Sequence, residues 1–374
     1  WNISNAITDD PIDIVYTWVN GSDPIWIEKY NELREIENIT MTSDTFKIRF
    51  ILMDSQRANQ QLAIPNNVIE LRFSLRSIEK YAIHFIRYIF IVVANDDTQI
   101  PFWLNVSNPK IKIITHKTIF NKNDNSIFTF NSNGIENCIS NIPGLSETFI
   151  YFNDDFFIGK QMNKKDFFTN HGKPKIFVKS NYLYNIEDSY KTHAEQGNDF
   201  AGKTFFAGFY YTLFQFQKKF NKITNLEHLH MAYPTTKKIQ NGYKEIFKDE
   251  VLKTINSPFR RVNDILMQFI SFQYGMLKNE IVPIMNGNDE SVFVYDDFYS
   301  NKNKLVKIYK NEAKMFCVNI DIASQASSIK AFLYIMFPNR SSFELNNAEL
   351  PIISEENVTY LNSLLNSSSN SFFF

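Results

Sequence analysis

Runs of apolar residues along the first half of the chain alternate with segments of helical pattern. Apolar positions at helical spacing predict helices over Trp26–Glu37 and Val68–Tyr81. Continuous apolar or β-branched runs predict strands at Ile12–Val19, Arg87–Ala94, Ile111–Thr115 and Thr148–Phe152. Strands that alternate with helices in this way indicate an α/β fold, with a Rossmann-like, mostly parallel sheet flanked by helices.

The second half of the chain is predicted to be more helical. Its helical patterns cover Phe200–Phe220, Pro234–Leu252 and Val262–Leu277, and Pro234 would stand in a first helical turn, where proline is favoured. Short apolar runs predict strands at Ile281–Met285, Val292–Tyr295 and Phe316–Ile320. Polar stretches predict an irregular segment at 38–66, an exposed loop at 121–133 and a flexible tail at 362–374.

The size and charge of the chain set limits on its function. With 374 residues and 44% hydrophobic content, it can bury a large core, and we predict a single domain over residues 1–374. A net charge of -1 argues against a nucleic-acid groove or a basic membrane face. No apolar run reaches the roughly 18–20 residues of a spanning helix. Because the chain starts at Trp1 and not at methionine, we expect a soluble region from which a targeting segment or membrane anchor has been removed.

Cysteines and glycosylation sequons bear on the cellular compartment. Cys138 and Cys317 are the only cysteines, which leaves one disulfide or two free thiols and excludes a zinc site built from cysteine alone. Asn-x-Ser/Thr sequons favour a secretory compartment only weakly, because an Asn-rich chain produces them by chance.

Polar residues follow two of the predicted strands. Asn20, Gly21, Ser22 and Asp23 come after the first strand, and the segment Asn153-Asp154-Asp155 ends the strand Thr148–Phe152. Ligands of open α/β sheets bind at the carboxyl ends of the strands. Two adjacent carboxylates there suit a divalent cation that bridges diphosphate oxygens, although acidic pairs also form helix caps and solvated turns. The apolar residues on both sides of the pair favour the metal site, because a buried charge is costly without a partner.

Two histidines and several arginines are further candidates. His228 and His230 could bind a metal, act as a general base or form hydrogen bonds in the core. Arg260 stands beside a predicted helix start that includes Asp264, and its guanidinium could bind phosphate or form a surface salt bridge. Arg72 and Arg76 share a helix face, so that both could approach one anion or form a solvated stripe.

Together these segments resemble the Stealth family, which includes bacterial capsule polymerases and the catalytic subunit of a lysosomal-enzyme N-acetylglucosamine-1-phosphotransferase. The first block, IDIVYTWVNGSDP, and the segment PGLSETFIYFNDDFFIG are long and specific. The four blocks occur in the family's order and span nearly the whole chain. They lie near residues 12–24, 70–159, 230–265 and 337–344.

The resemblance implies transfer of a sugar 1-phosphate from a nucleotide diphosphate sugar, with a divalent cation such as Mg²⁺ or Mn²⁺. For eukaryotic members it implies UDP-N-acetylglucosamine as donor, release of UMP and the Golgi lumen. The implied acceptor is a mannose 6-hydroxyl on N-glycans of lysosomal-type glycoproteins. A conventional glycosyltransferase with the same donor, and a catalytically impaired glycan-binding member, remain alternatives. The sequence leaves open whether the protein forms a homodimer.

The resemblance also suggests a role for each candidate residue. Asp154 and Asp155 are predicted to hold the cation, and His230 is the preferred base, with Asp23 as the alternative. Asp264 is predicted to orient a catalytic group or to complete the metal shell. Arg260, with Arg72 or Arg76, is predicted to neutralise developing charge. Further substrate-binding residues are predicted at Asn20, Gly21, Ser22 and Asn153.

The chain departs from the family pattern at two places. The arginine that usually precedes the Glu-Leu-Arg stretch is missing, and Arg49 and Arg57 are the candidates to replace it. The usual His-Met-Pro reads His230-Met231-Ala232.

Overall fold

The structure, a computed structural model, describes most of the chain. The predicted irregular segment at 38–66, with Arg49 and Arg57, lies outside the described residues, and so does Ser22. The described residues are 11–21, 23–36, 67–95, 97–120, 129–181, 185–196, 201–285, 290–295, 297–319, 325–349 and 353–367.

The described strands form three sheets. Their bounds are β1 (Ile12–Thr17), β2 (Ile86–Val93), β3 (Ile111–Thr115), β4 (Thr148–Asn153), β5 (Phe156–Ile158), β6 (Lys175–Ser180), β7 (Leu226–His228), β8 (Tyr233–Thr236), β9 (Val282–Ile284), β10 (Ser291–Tyr295) and β11 (Met315–Asn319). The central sheet has the order β3-β2-β1-β4-β8, and two smaller sheets have the orders β10-β11-β5 and β7-β6-β9.

Parallel pairing in the central sheet confirms the predicted fold class. Strands β3, β2, β1 and β4 are parallel, and only β8 runs antiparallel, along β4. The register places Thr17 of β1 beside Asn153 of β4 and beside Val92 of β2. The carboxyl ends of these strands therefore meet at one edge, where ligands bind in open α/β sheets.

Helices cover both faces of the central sheet. On one face Leu71, Leu75 and Ile78 pack with Ile14 and Ile91, as their helical spacing predicts. The other face packs against the helices of residues 132–138, 237–246 and 267–277. The helices are α1 (Pro24–Ile36), α2 (Asn67–Tyr81), α3 (His116–Phe120), α4 (Ser132–Cys138), α5 (Lys164–Phe167), α6 (Ile186–Gln196), α7 (Ala201–Phe220), α8 (Lys237–Ile246), α9 (Lys248–Ile255), α10 (Met267–Leu277), α11 (Lys302–Tyr309), α12 (Ala326–Met336) and α13 (Glu355–Ser367).

The predicted helix over Pro234–Leu252 is wrong at its start. Pro234 lies in β8, opposite Ile150 of β4, and the helices begin only at Lys237. Because β8 is the last strand of its sheet, a proline without an N–H is tolerated there. The predicted helix over Val262–Leu277 also begins later, at Met267, so that Asp264 precedes the helix and does not lie within it.

The segment predicted as an exposed loop at 121–133 is buried at its end. Residues 121–128 lie outside the described part of the chain, whereas Phe130, Asn131 and Asn133 are buried and lead into α4. The Asn131 side chain accepts a hydrogen bond from the Asn133 N–H and caps this helix. The polar residues here are helix caps and core partners, which explains why polarity alone indicated a loop.

The predicted tail at 362–374 is wrong over its first residues. Helix α13 continues to Ser367, because Leu361 and Leu365, one turn apart, are buried against α12 and its neighbours. Residues 368–374 lie outside the described chain.

Both cysteines are buried, Cys138 at the end of α4 and Cys317 in β11, and they lie in separate clusters of the core without a disulfide between them. Among the described residues, no helix combines the length and the apolar character that crossing a membrane requires.

Candidate active site

A cavity of about 990 Å³ opens at the carboxyl edge of the central sheet. Its walls include Thr17 at the end of β1, Trp18 directly after it, His116 after β3 and Asn153 at the end of β4. Asp154, Asp155, Glu136, His230 and Arg260 also line it. The structure therefore brings together in one cavity the candidates Asn153, Asp154, Asp155, His230 and Arg260.

The two candidate metal ligands form the turn between β4 and β5. Asp154 is half-buried, whereas Asp155 is 3% exposed. One carboxylate oxygen of Asp155, Oδ2, accepts a hydrogen bond from Asn319 Nδ2 at 3.0 Å and lies 3.5 Å from the Cys317 sulfur, which donates to it. The turn thus offers carboxylate oxygens to a cation at the edge of the cavity.

His230 lies across from this turn. Ligand atoms of Asp155, His230 and Cys317 all lie within 4.8 Å of one another. The imidazole packs edge-on against Phe156, with ring centroids 4.9 Å apart, and against Phe293 at 5.3 Å. These aromatic contacts hold the ring beside the carboxylate, where it could serve as a metal ligand or as a base.

Arg260 lines the cavity next to helix α4. Its Nε and Nη2 donate to the Ser132 hydroxyl at 3.1 and 2.5 Å. Asp264 is buried behind it and does not line the cavity: its Oδ2 accepts from the side chains of Asn131 and Asn133, both at 3.0 Å, and from the Arg261 N–H. Burial raises the pKa of Asp264, and these hydrogen bonds oppose the shift. Asp264 therefore holds the arginine loop against α4 from a position outside the described cavity wall.

Glu136 is a cavity residue that the sequence did not indicate. It stands one turn after Ser132 on α4, so both face the cavity. Its Oε1 accepts from the Tyr151 hydroxyl at 3.1 Å, and that hydroxyl lies 2.9 Å from the Thr17 hydroxyl. Burial raises the pKa of Glu136 to about 7, although the charge of Arg260 and the Tyr151 hydrogen bond act in the opposite direction. The spacing Ser132-x-x-x-Glu136 would have placed both residues on one helix face if a helix, and not a loop, had been predicted there.

The polar residues that follow β1 form hydrogen bonds within the fold and lie away from the described cavity wall. Asp23 is buried, and its carboxylate accepts from the Ile25 N–H, the Thr98 hydroxyl and the Gln99 amide at 3.0, 2.5 and 2.7 Å. The Gln99 side chain also bonds to both backbone polar groups of Asn20. Asp23 therefore fixes the start of α1 to the loop after β2. Asn20, Gly21 and Asp23 are not among the described residues that line the cavity, so this placement gives no support to their predicted roles in substrate binding or as a base.

Arg72 and Arg76 are likewise absent from the described cavity wall. Both are buried and share the carboxylate of Glu344: Arg72 Nε lies 2.5 Å from Oε2, and Arg76 Nε lies 2.7 Å from Oε1. The three side chains are at most 2% exposed. Their predicted role in substrate binding is not supported by this position, because both guanidinium groups form ion pairs with Glu344 that tie α2 to the segment 337–344.

Comparisons with known proteins identify relatives of the chain. The chain matches Stealth protein CR1, conserved region 1, over residues 10–37 and Stealth protein CR2, conserved region 2, over residues 65–176. It is 28% identical over 342 residues to an exopolysaccharide phosphotransferase of Streptomyces coelicolor, with 89% of this chain and 33% of the relative covered. It is 31% identical over 271 residues to a capsular polysaccharide phosphotransferase of Haemophilus influenzae, with 72% of this chain and 66% of the relative covered.

A third relative is the capsular polysaccharide phosphotransferase SacB of Neisseria meningitidis serogroup A, 29% identical over 351 residues, with 89% of this chain and 57% of the relative covered. The chain thus spans between a third and two thirds of the length of these relatives. Among solved structures, the apo bifunctional glycosyltransferase WbbM aligns with a TM-score of 0.37 and 11% identity, over 83% of this chain and 46% of that chain, which is too distant to support an argument.

The fold and the cavity define an α/β protein with a polar ligand site at the carboxyl edge of a mostly parallel sheet. The two matched regions and the relatives show more: the chain belongs to the Stealth family.

Proposed function

We propose that the protein transfers a sugar 1-phosphate from a nucleotide diphosphate sugar to a hydroxyl of a glycan and releases the nucleoside monophosphate. The observation that carries this proposal is a single cavity that joins an acidic turn, Asp154 and Asp155, to Arg260 and His230. Carboxylates for a cation, a guanidinium for phosphate oxygens and an imidazole for a proton are the groups that phosphoryl-type transfer uses. The phosphotransferase names of the relatives support the same reaction class.

The residues at the acidic turn fit a divalent cation. Asp154 and Asp155 supply hard oxygen donors, which suit Mg²⁺ or Mn²⁺, and diphosphate oxygens and water would complete the shell. Cys317 beside Asp155 adds a softer donor, which favours a transition metal over Mg²⁺. A cation there would neutralise charge on the diphosphate.

The remaining side chains position the reactants. Arg260, held by Ser132 and by the Asp264 network, directs its guanidinium toward the phosphate oxygens. His230 is our preferred base for the acceptor hydroxyl, because it lies in the cavity, whereas Asp23 is buried outside the described wall. The acceptor oxygen attacks the phosphorus that bears the sugar, the bond to the leaving phosphate breaks, and the hydroxyl proton passes to the base.

The identity of the donor, the identity of the acceptor and the cellular location stay predictions. UDP-N-acetylglucosamine as donor, a mannose 6-hydroxyl as acceptor and a Golgi location follow from the resemblance to eukaryotic members alone. The relatives are bacterial and are named for exopolysaccharide or capsular polysaccharide, which adds polysaccharide hydroxyls to the acceptors to be tried.

The proposal is tested with a panel of nucleotide sugars, starting with UDP-N-acetylglucosamine, together with Mn²⁺ and either an α-mannoside or a capsule-type oligosaccharide. We expect one donor to yield nucleoside monophosphate in proportion to modified acceptor. Release of nucleoside diphosphate would indicate a conventional glycosyltransferase instead. Absence of turnover with every pair, together with retained glycan binding, would indicate the impaired binding member.

The raised pKa of Glu136 predicts that donor binding depends on pH. Because its pKa is about 7, the carboxyl is neutral below this pH and adds a negative charge beside Arg260 above it. A bound diphosphate opposes that charge, so donor affinity should fall from about pH 6 to about pH 8, by about fivefold if binding raises the pKa by one unit. Calorimetry with a nucleotide sugar, whose diphosphate does not titrate in this range, measures the slope. Glu136→Gln should bind almost independently of pH, and an unchanged slope in that variant would remove Glu136 from the site.

A further inference from the structure

The cavity has an aromatic lobe at the β3 side of the central sheet. We define this aromatic lobe by the cavity-lining residues Trp18, Trp26, His116, Thr129 and Phe130. Trp18 follows β1 and His116 follows β3, so both stand at the carboxyl edge that also carries Asp154. The Trp26 and Phe130 rings meet edge-to-face, with centroids 4.9 Å apart. The lobe is therefore largely apolar and is built from flat rings.

His116 is the exception to this apolar character. Its side chain is buried, with 5% of the residue exposed, and Nδ1 has no hydrogen-bond partner within the described structure. Burial lowers the pKa of His116 to about 4, so the imidazole is neutral at physiological pH and carries one donor and one acceptor nitrogen. An unpartnered buried nitrogen costs free energy, and a ligand that supplies the missing hydrogen bond recovers it.

The aromatic lobe is continuous with the arginine that is suited to phosphate. The Phe130 N–H donates to the Pro258 carbonyl at 2.7 Å, and the Phe130 ring stacks on Phe259 at 5.5 Å. The next residue, Arg260, bonds to Ser132. A ligand whose phosphates meet Arg260 would therefore extend its other end into the aromatic lobe.

Resting on the proposed function, we propose that the aromatic lobe binds the nucleobase of the donor and that His116 forms a hydrogen bond to the edge of that base. A nucleobase is a flat heterocycle with a polar edge, which matches an apolar lobe that holds one hydrogen-bonding group. Because Nδ1 itself is buried, we expect the imidazole to rotate about its Cβ–Cγ bond when the base enters. The sugar of the donor then faces Asp154 and His230.

A control histidine lies outside the cavity. His84 is exposed and is not on the described cavity wall. Loss of the His84 imidazole should therefore not affect a ligand bound in the cavity.

The test is calorimetry with the nucleoside diphosphate that wild type binds most tightly, UDP first, and with inorganic pyrophosphate, both with Mn²⁺. We expect His116→Phe to weaken the binding of the nucleoside diphosphate by about 3- to 10-fold and to leave the affinity for pyrophosphate unchanged. His84→Phe should change neither affinity. His116→Asn, which keeps an amide near the position of Nδ1, should recover most of the lost affinity.

The outcomes separate this inference from the proposed function. If wild type binds the nucleoside diphosphate and both His116→Phe and His116→Ala bind it equally well, the base lies elsewhere and only the inference fails. The inference also fails if pyrophosphate affinity drops in parallel. If the wild-type protein binds none of the nucleoside diphosphates, both the inference and the proposed function fail. Thermal melts check that each variant folds, and His116→Ala replaces His116→Phe if the latter does not.

Discussion

Asp155→Asn is expected to lower turnover by at least about 100-fold while the protein stays folded. The amide keeps the volume of the carboxylate and one oxygen, so the contact with Asn319 can persist. It removes the negative charge that a divalent cation needs at the β4–β5 turn. Asp154→Asn, at the half-buried neighbour, should have an effect of the same order, because both carboxylates line the cavity.

The measurement is the initial rate as a function of Mn²⁺ concentration. We expect the aspartate variants to need more Mn²⁺ and to stay slow at saturation. Asp188→Asn in α6 makes the same chemical change at an exposed position that is not on the described cavity wall, and it should behave like wild type. If both Asp154→Asn and Asp155→Asn keep full activity at limiting Mn²⁺, the acidic pair is structural and the mechanism is wrong.

Glu344→Gln is expected to reduce the free energy of unfolding by about 3–5 kcal/mol. The neutral amide would leave Arg72 and Arg76 buried side by side without a compensating charge. Burial acts to raise the pKa of Glu344, but the hydrogen bonds and charges of the two arginines and the Ser341 N–H bring it below its ordinary value of 4.5. This contribution to stability is therefore present above that pH and is lost on acidification below it.

Urea denaturation measures the loss, and Glu349→Gln is the matched control. The Glu349 carbonyl accepts a hydrogen bond from Arg72, whereas the residue itself is exposed. Its substitution should change stability by no more than about 0.5 kcal/mol. Equal stability of the two variants would show that the buried ion pair does not join α2 to the segment 337–344 as we describe.

Apolar runs were sufficient to predict the four parallel strands of the central sheet and the place of the acidic turn. A buried strand leaves a long apolar signal, and Asn153-Asp154-Asp155 stands directly at its end, so the position of the carboxylates follows from sheet topology. The spacing of Arg72 and Arg76 correctly placed them on one helix face. It could not show that this face meets Glu344, 272 and 268 residues further along the chain. Long-range ion pairs leave no local pattern.

Glu136 and Pro234 show a second limit of prediction from the sequence. The polar residues before Glu136 looked like a loop, because side chains that cap a helix and bond in the core are as hydrophilic as those in solvent. Pro234 suits a helix start and an edge strand equally well, and only the pairing of β8 with β4 decides between them.

The most direct test of sugar-phosphate transfer follows the sugar-linked phosphate of the donor. UDP-N-acetylglucosamine, or the donor that the panel identifies, is radiolabelled at the β-phosphate and incubated with the protein, Mn²⁺ and the glycan acceptor. We expect the label to appear in the acceptor, with unlabelled nucleoside monophosphate as the second product. Label retained in released nucleoside diphosphate, with unlabelled sugar on the acceptor, would show that the sugar C1–oxygen bond breaks and would contradict phosphotransfer.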